Sequence, residues 1–132
     1  MTEIEKMKER LIDCIKEQAK LFLEEMGEFY PFGTSIDKNN DLRPLSVHMD
    51  EEIPDVGEML LKLEKGINFH LLNGEFILAA ICIEIFINNN KGKIDAIQIR
   101  ILDKNNQIGT YNYPYKIDNK NVVIDKDAYQ MD

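Results

Sequence analysis

The stretch that decides the fold is residues 76–102, FILAAICIEIFINNNKGKIDAIQIRIL. It holds two runs rich in β-branched residues, separated by the turn-forming sequence Asn88-Asn89-Asn90-Lys91-Gly92-Lys93. This pattern predicts a long antiparallel hairpin. Apolar residues fill the odd positions of both runs: Ile77, Ala79, Ile81, Ile83, Ile85 and Ile87, then Ile97, Ile99 and Ile101. We therefore predict one continuous hydrophobic face that the rest of the chain covers.

Two amphipathic helices are predicted outside this hairpin. The first begins at the capping box Thr2-Glu3-Ile4-Glu5 and carries an apolar stripe to Gly27, which suits a C-cap. The second follows Pro54-Asp55-Val56 and ends at Asn73-Gly74, with a break predicted near Gly66.

Further strands are predicted on both sides of the hairpin. Residues 28–36 and 42–49 form a strand pair, and Pro44 indicates that the second of them lies at an edge. Residues 108–113 form a fifth strand that Pro114 stops. Val122-Val123-Ile124 is either a sixth short strand or an ordered extension.

The resulting order, α-β-β-α-β-β-β, predicts the α+β class. Its economical form is a two-layer sandwich, with a five- or six-stranded antiparallel sheet and both helices on the isoleucine face. The length of 132 residues indicates a single domain, 1–132. Whether residues 118–132 form a loosely packed C-terminal tail, and whether that tail covers the other face, stays open.

Composition narrows the functional classes. The formal net charge of −8 repels phosphate backbones, so nucleic acid is not an expected partner. A signal-peptide pattern and a long apolar run are both missing from the sequence, which predicts a cytoplasmic protein without a membrane partner. Cys14 and Cys82 lack metal-site spacing and are expected to be buried free thiols, with a disulfide left open. We expect no cofactor and no metal.

The element order resembles the roadblock or profilin-like α/β sandwiches, in which the first and last strands pair at the centre. That resemblance implies that the aromatic residues of the first and last strands meet in one cluster. These residues are Phe29, Tyr30, Phe32, Tyr111, Tyr113 and Tyr115.

A second resemblance rests on residue patterns. The sequences GEFYPFG at 27–33, Asp95-Ala96-Ile97-Gln98 and Pro114-Tyr115, with the passage 74–85, resemble a widespread group of small bacterial proteins with no assigned activity. The resemblance covers nearly the whole chain. It implies one compact domain and supplies no catalytic residue.

Known nucleophile, P-loop, dinucleotide and zinc-protease motifs are all missing from the sequence, so we expect a protein that is not an enzyme. His48 lies among acids and His70 on a helix, and solvated surface positions are the favoured interpretation of both. Glu84 and Arg100 interrupt apolar strands at even positions. They form either a cross-strand ion pair or the polar centre of a binding face that includes Phe86 and Gln98.

The second candidate site is a run of acids before and within the second helix. Its residues are Asp50, Glu51, Glu52, Asp55 and Glu58. Exposed carboxylates can mask a basic surface, so the leading hypothesis is a protein-interaction module, for example an immunity-type protein that neutralises a toxin. Self-association as a homodimer is a second form of it. The alternative is a small-ligand-binding domain that uses the sheet face without helices.

Overall fold

The computed structural model describes residues 1–50, 52–105 and 107–130. Two helices lie within them, α1 (Glu3–Met26) and α2 (Val56–Leu72). The strands are β1 (Phe32–Asp37), β2 (Leu42–Leu45), β3 (Phe76–Asn89), β4 (Gly92–Leu102), β5 (Gln107–Asp118) and β6 (Asn121–Ile124). The predicted α+β class and the order of the elements are confirmed.

Both helices begin and end at the predicted signals. The Thr2 hydroxyl accepts the Glu5 N–H at 3.1 Å, and Gly27 closes α1 with a φ of 78°. Helix α2 starts after Asp55, whose side chain accepts the Glu58 N–H at 3.0 Å. It runs through Gly66 without the predicted break. A helical glycine costs only about 1 kcal/mol relative to alanine, and the buried stripe on either side of it holds the helix against the sheet.

The six strands form one antiparallel sheet in the order β2-β1-β3-β4-β5-β6. Strand β2 lies at an edge as predicted, where Pro44 removes no interior ladder bond. The predicted pairing of the first and last strands was wrong, because β1 lies between β2 and β3 while β6 forms the opposite edge. Short connections from β3 to β6 make each of these strands pair with the next one in the chain.

The register of the central hairpin differs from the predicted one. Asn89 pairs with Gly92, so only two residues form the turn, and Ile81 therefore lies opposite Arg100. Residues that face each other in a sheet point to the same side. Odd positions of β3 consequently share a face with even positions of β4, and the prediction of one continuous isoleucine face was wrong.

The two helices lie on opposite faces of the sheet, not on one face as predicted. Leu11, Ile15 and Leu23 of α1 pack with Leu78 and Ile99, together with other residues of that face. We call this side the α1 face.

The opposite side is the α2 face. There Leu63, Ile67 and Leu71 of α2 pack with Ala79 and Ile81 of β3. Because both faces of β3 are apolar from Leu78 to Cys82, each of them needs a helix to cover it. The chain is thus a three-layer arrangement, α1, sheet and α2.

Gly33 allows β1 to lie close to the backbone of β3. A side chain at Gly33 would place its Cβ 2.7 Å from the carbonyl oxygen of Ala80 and 3.6 Å from Cδ1 of Ile67. The first distance is too short for any Cβ, so only glycine fits at this point of the sheet.

The C-terminal residues pack on the α1 side of the sheet. Strand β6 pairs with β5 across a turn in which Asn119 and Lys120 both have positive φ. Residues 125–129 continue from β6 along the edge of β5, and Ala128 packs against the core of the α1 face. The described part of the tail therefore does not cover the α2 face.

Candidate functional site

The sheet register separates the residues predicted for the even face. Glu84 pairs with Ile97 and lies on the α1 face, whereas Gln98 and Arg100 lie on the α2 face. The predicted cross-strand pair of Glu84 with Arg100 is therefore wrong. Phe86 lies on the same side as Glu84, with 63% of its surface exposed and the Lys93 ammonium 5.3 Å from its ring centroid.

Arg100 instead belongs to a chain of polar contacts on the α2 face. Its Nη1 donates to Glu64 of α2 at 3.1 Å, and its Nε donates to Gln98 at 2.9 Å. Gln98 in turn donates to Asn112 of β5 at 3.1 Å. The charge of Arg100 is thus already compensated, and its guanidinium fixes α2 to β4.

We call the part of the α2 face next to these polar contacts the open sheet surface. It comprises Ile83, Ile85, Gln98, Arg100 and Asn112. All five are half-buried. Helix α2 packs mainly on β3, and its contacts with β4 include Leu102 and the bond from Arg100 to Glu64. The surface is a shallow mixed patch of apolar and neutralised polar groups.

Glu84 holds the connection between α1 and β1. Its Oε1 accepts the Phe29 N–H at 2.7 Å. Partial burial raises the pKa of Glu84, and the neighbouring Glu28 and Asp95 raise it further, while the bond from Phe29 acts in the opposite direction. Burial, followed by Glu84 and Asp95, also raises the pKa of Tyr115 to about 12. These groups explain a local packing arrangement and do not face a cavity.

The acidic segment, residues 50–58, presents its carboxylates to solvent. Asp50, Glu52, Asp55 and Glu58 are all exposed, and Glu51 lies outside the described residues. His48 Nε2 lies 3.6 Å from Asp50. Within the described chain, these four carboxylates form no ion pair with a lysine or arginine.

Two apolar residues lie among these acids. Ile53 is 85% exposed, and Val56 in the first turn of α2 is also exposed. Farther along α2, Leu61, Phe69 and Leu72 are exposed on its outer side. The exposure of two of these residues could be predicted from the sequence. Leu61 and Phe69 do not fit the 3.6-residue spacing of the buried stripe.

The length of α2 shows how far it reaches along β3. Helix α2 returns to β3 through the short turn 73–75, and the two pack side by side. A 17-residue helix spans about 25 Å, the length of about seven strand residues. The first turn of α2 is therefore about level with Ile83, which pairs with Gln98.

The described residues contain small clefts and no metal-binding group. A cleft of about 160 Å³ between α2 and residues 45–47 includes His70, and a wider one of about 300 Å³ lies between α1 and β6. Small-molecule sites usually enclose about 300–1,000 Å³. No three His, Cys, Asp or Glu side chains come together as metal ligands in the part of the chain that the structure describes.

The cysteines are both free thiols. Cys82 is buried in β3, and burial raises its pKa well above the ordinary value, whereas Cys14 on α1 is half-buried. The predicted free state is confirmed, and the disulfide that the sequence left open is not formed.

Comparisons with known proteins add no relative. No family model, no curated protein and no solved structure matches this chain. In the described chain, neither helix has the length and apolar character needed to cross a membrane. The functional argument therefore rests on the residues described above.

Proposed function

We propose that this chain is a non-enzymatic, cytoplasmic protein-interaction module that binds a basic protein through the acidic segment. Its most specific form is an immunity-type bacterial protein that neutralises a toxin by masking a basic active site. The observation that carries the proposal is the set of exposed carboxylates around Ile53 that have no lysine or arginine partner in the described chain.

Charge and apolar surface have different roles in this interface. Exposed carboxylates attract a positively charged partner and raise the association rate, an effect that salt screens. An apolar side chain at the centre of a charged rim contributes affinity once water is excluded from it. Ile53, which is 85% exposed and lies between Glu52 and Asp55 in the sequence, would take that second role. The net charge of −8 acts in the same direction over a longer range.

The small-ligand alternative required a sheet face without a helix. Each face carries a helix, and the C-terminal residues lie on the α1 side, so the expected pocket between the tail and an uncovered face is not formed by the described residues. No feature of the described chain favours that alternative over protein binding.

The test reverses the charge of the acidic segment. Asp50, Glu51, Glu52 and Glu58 are changed to lysine, while Asp55→Asn removes a charge but keeps an N-cap acceptor for α2. Binding to purified basic proteins encoded next to this gene is measured by surface plasmon resonance at low and high salt. We expect the variant to lose at least about 100-fold in affinity, mainly through slower association.

A control variant changes Glu5, Glu9, Glu17 and Glu25 of α1 to lysine, because these side chains are equally exposed but lie on the other face. It should bind nearly as the unchanged protein does. Equal affinity of the acidic-segment variant and the unchanged protein would remove the proposal. If the unchanged protein forms a homodimer without a partner and the acidic-segment variant does not, the segment serves self-association instead.

A further inference from the structure

The edge of β5 is covered by two different pieces of chain. Strand β6 pairs only with residues 115–118 of β5. The next residues continue along the same edge, where the Asp125 N–H donates to the Pro114 carbonyl at 2.8 Å and the Tyr129 N–H donates to the Asn112 carbonyl at 2.7 Å. Residues 125–130, which we call the strap, therefore prolong β6 over the edge that β6 leaves uncovered.

Proline at position 114 creates a gap in this pairing. In an antiparallel ladder, a hydrogen-bonded pair exchanges two N–H···O bonds. Pro114 accepts from Asp125 but has no N–H to return, because its ring replaces the amide hydrogen. The Asp125 carbonyl would be left without a donor from the sheet.

Lys16 of α1 supplies the missing donor. Its Nζ donates to the Asp125 carbonyl at 3.1 Å and to the Lys126 carbonyl at 2.9 Å. The same ammonium lies 3.8 Å from the ring centroid of Tyr113, a cation–π contact that fixes its position. One side chain thus does for the strap what the amide of residue 114 does in an ordinary strand.

We propose that the strap is a latched segment that opens as a unit while the sheet stays folded, and that the Lys16 ammonium is its latch. Strand β5 pairs with β4 from Gln107 to Pro114, whereas the strap is held by two backbone bonds, the contact of Ala128 and Lys16. Segments with so few attachments open at a lower free-energy cost than the sheet.

Opening the strap changes what the edge of β5 can bind. The carbonyls of Asn112 and Pro114 lose their donors and become acceptors for another extended backbone. The closed strap keeps these two carbonyls paired. It lies on the α1 side of the sheet, so this inference is independent of the acidic segment and of the proposed function.

Amide hydrogen exchange, measured residue by residue by NMR on the full chain, tests the latch. In Lys16→Gln, the amides of Asp125 and Tyr129 should exchange at least about tenfold faster, since a charge-assisted bond to two carbonyls is weakened. Amides in the middle of β4 should keep their rates. Lys20→Gln, an exposed lysine on the same helix, is the matched control and should change the strap amides less than about twofold.

A rescue variant tests the role of Pro114. Adding Pro114→Ala to Lys16→Gln restores an N–H that can donate to Asp125, and strap exchange should slow again by at least about fivefold. Three results would each overturn the proposal. They are unchanged strap exchange in Lys16→Gln, equal acceleration of the strap and β4, which indicates global unfolding only, and no rescue by Pro114→Ala.

Discussion

The two faces of the sheet are covered by helices of unequal reach. Helix α1 has 24 residues and packs on β1, β3, β4 and β6, whereas α2 has 17 residues and packs mainly on β3. The α1 face is consequently a closed apolar core. The α2 face combines a smaller core with a polar chain and exposed apolar side chains. This difference places more of the stabilising burial on the α1 face than on the α2 face.

The largest expected effect comes from the closed core of the α1 face. Ile99 has no exposed surface and lies in the centre of that core. Ile99→Ala should lower the free energy of unfolding by about 3–4 kcal/mol, because lost transfer energy and a new cavity add. Leu63→Ala on the smaller α2-face core should cost about 2–3 kcal/mol. Urea denaturation of both variants measures the difference.

Ile53→Ala is the matched control for these core variants. Ile53 is highly exposed, so its truncation should change the free energy of unfolding by less than about 0.5 kcal/mol. A loss at Leu63 that equals or exceeds the loss at Ile99 would break the comparison between the two faces. The same Ile53→Ala variant should weaken binding in the partner experiment. Weaker binding at unchanged stability would separate recognition of a partner from packing of the core.

The sequence predicted the elements better than their arrangement. Helix caps at Thr2 and Gly27 and the edge position of Pro44 follow from local chemistry, and each was confirmed. The face on which each side chain lies could not be predicted from local chemistry. It depends on which of several Asn and Lys residues form the turn, and the structure pairs Asn89 with Gly92. A shift of one residue moves every side chain to the other face.

This shift explains why the candidate site changed. Residues of β3 and β4 that face each other have numbers with an odd sum, so an even-numbered residue of β3 faces an odd-numbered residue of β4. Glu84 and Arg100 are both even-numbered and therefore lie on opposite faces of the sheet. The contact of Arg100 with Glu64 depends on where α2 packs, which no local pattern determines. The acidic segment, in contrast, was readable directly because exposure of clustered charges is the rule for soluble chains.

Removing the polar contacts of Arg100 on the α2 face should have an intermediate effect on the free energy of unfolding. Arg100→Leu leaves the Glu64 carboxylate and the Gln98 carbonyl without their donor, so we expect a loss of about 1–2 kcal/mol. A double-mutant cycle with Glu64→Leu should give a coupling energy of about 0.5–1.5 kcal/mol. Denaturation at low and high salt measures both quantities.

The exposed pair of Lys6 and Glu3 is the control for this cycle. Its atoms lie 3.6 Å apart at the start of α1, and its coupling should be about 0.3 kcal/mol. Equal coupling in the two pairs would mean that Arg100 contributes no more than a surface charge. In that case the α2 face would lack the fixed polar centre that distinguishes it from the α1 face.

The smallest expected effect concerns Glu84, a charged group at the margin of the α1 face. Because its pKa is raised in the folded chain, the folded state binds more protons than the unfolded state between the two pKa values. Glu84 therefore lowers stability as the pH rises through that interval, which lies above the ordinary carboxyl pKa of 4.5. Glu84→Gln removes the charge and keeps an oxygen that accepts the Phe29 N–H.

We expect Glu84→Gln to stabilise the protein at pH 7 by about 0.5 kcal/mol, a small value because solvent screens a carboxylate that is only partly buried. At pH 4, where Glu84 is mostly protonated in both states, the gain should vanish. Urea denaturation at the two pH values measures it, with Glu9→Gln on the exposed side of α1 as the control. A gain of the same size at both pH values would show that packing, and not the ionised carboxylate, sets the cost of Glu84. The α1 face would then tolerate a charge at its margin as readily as the α2 face tolerates Arg100.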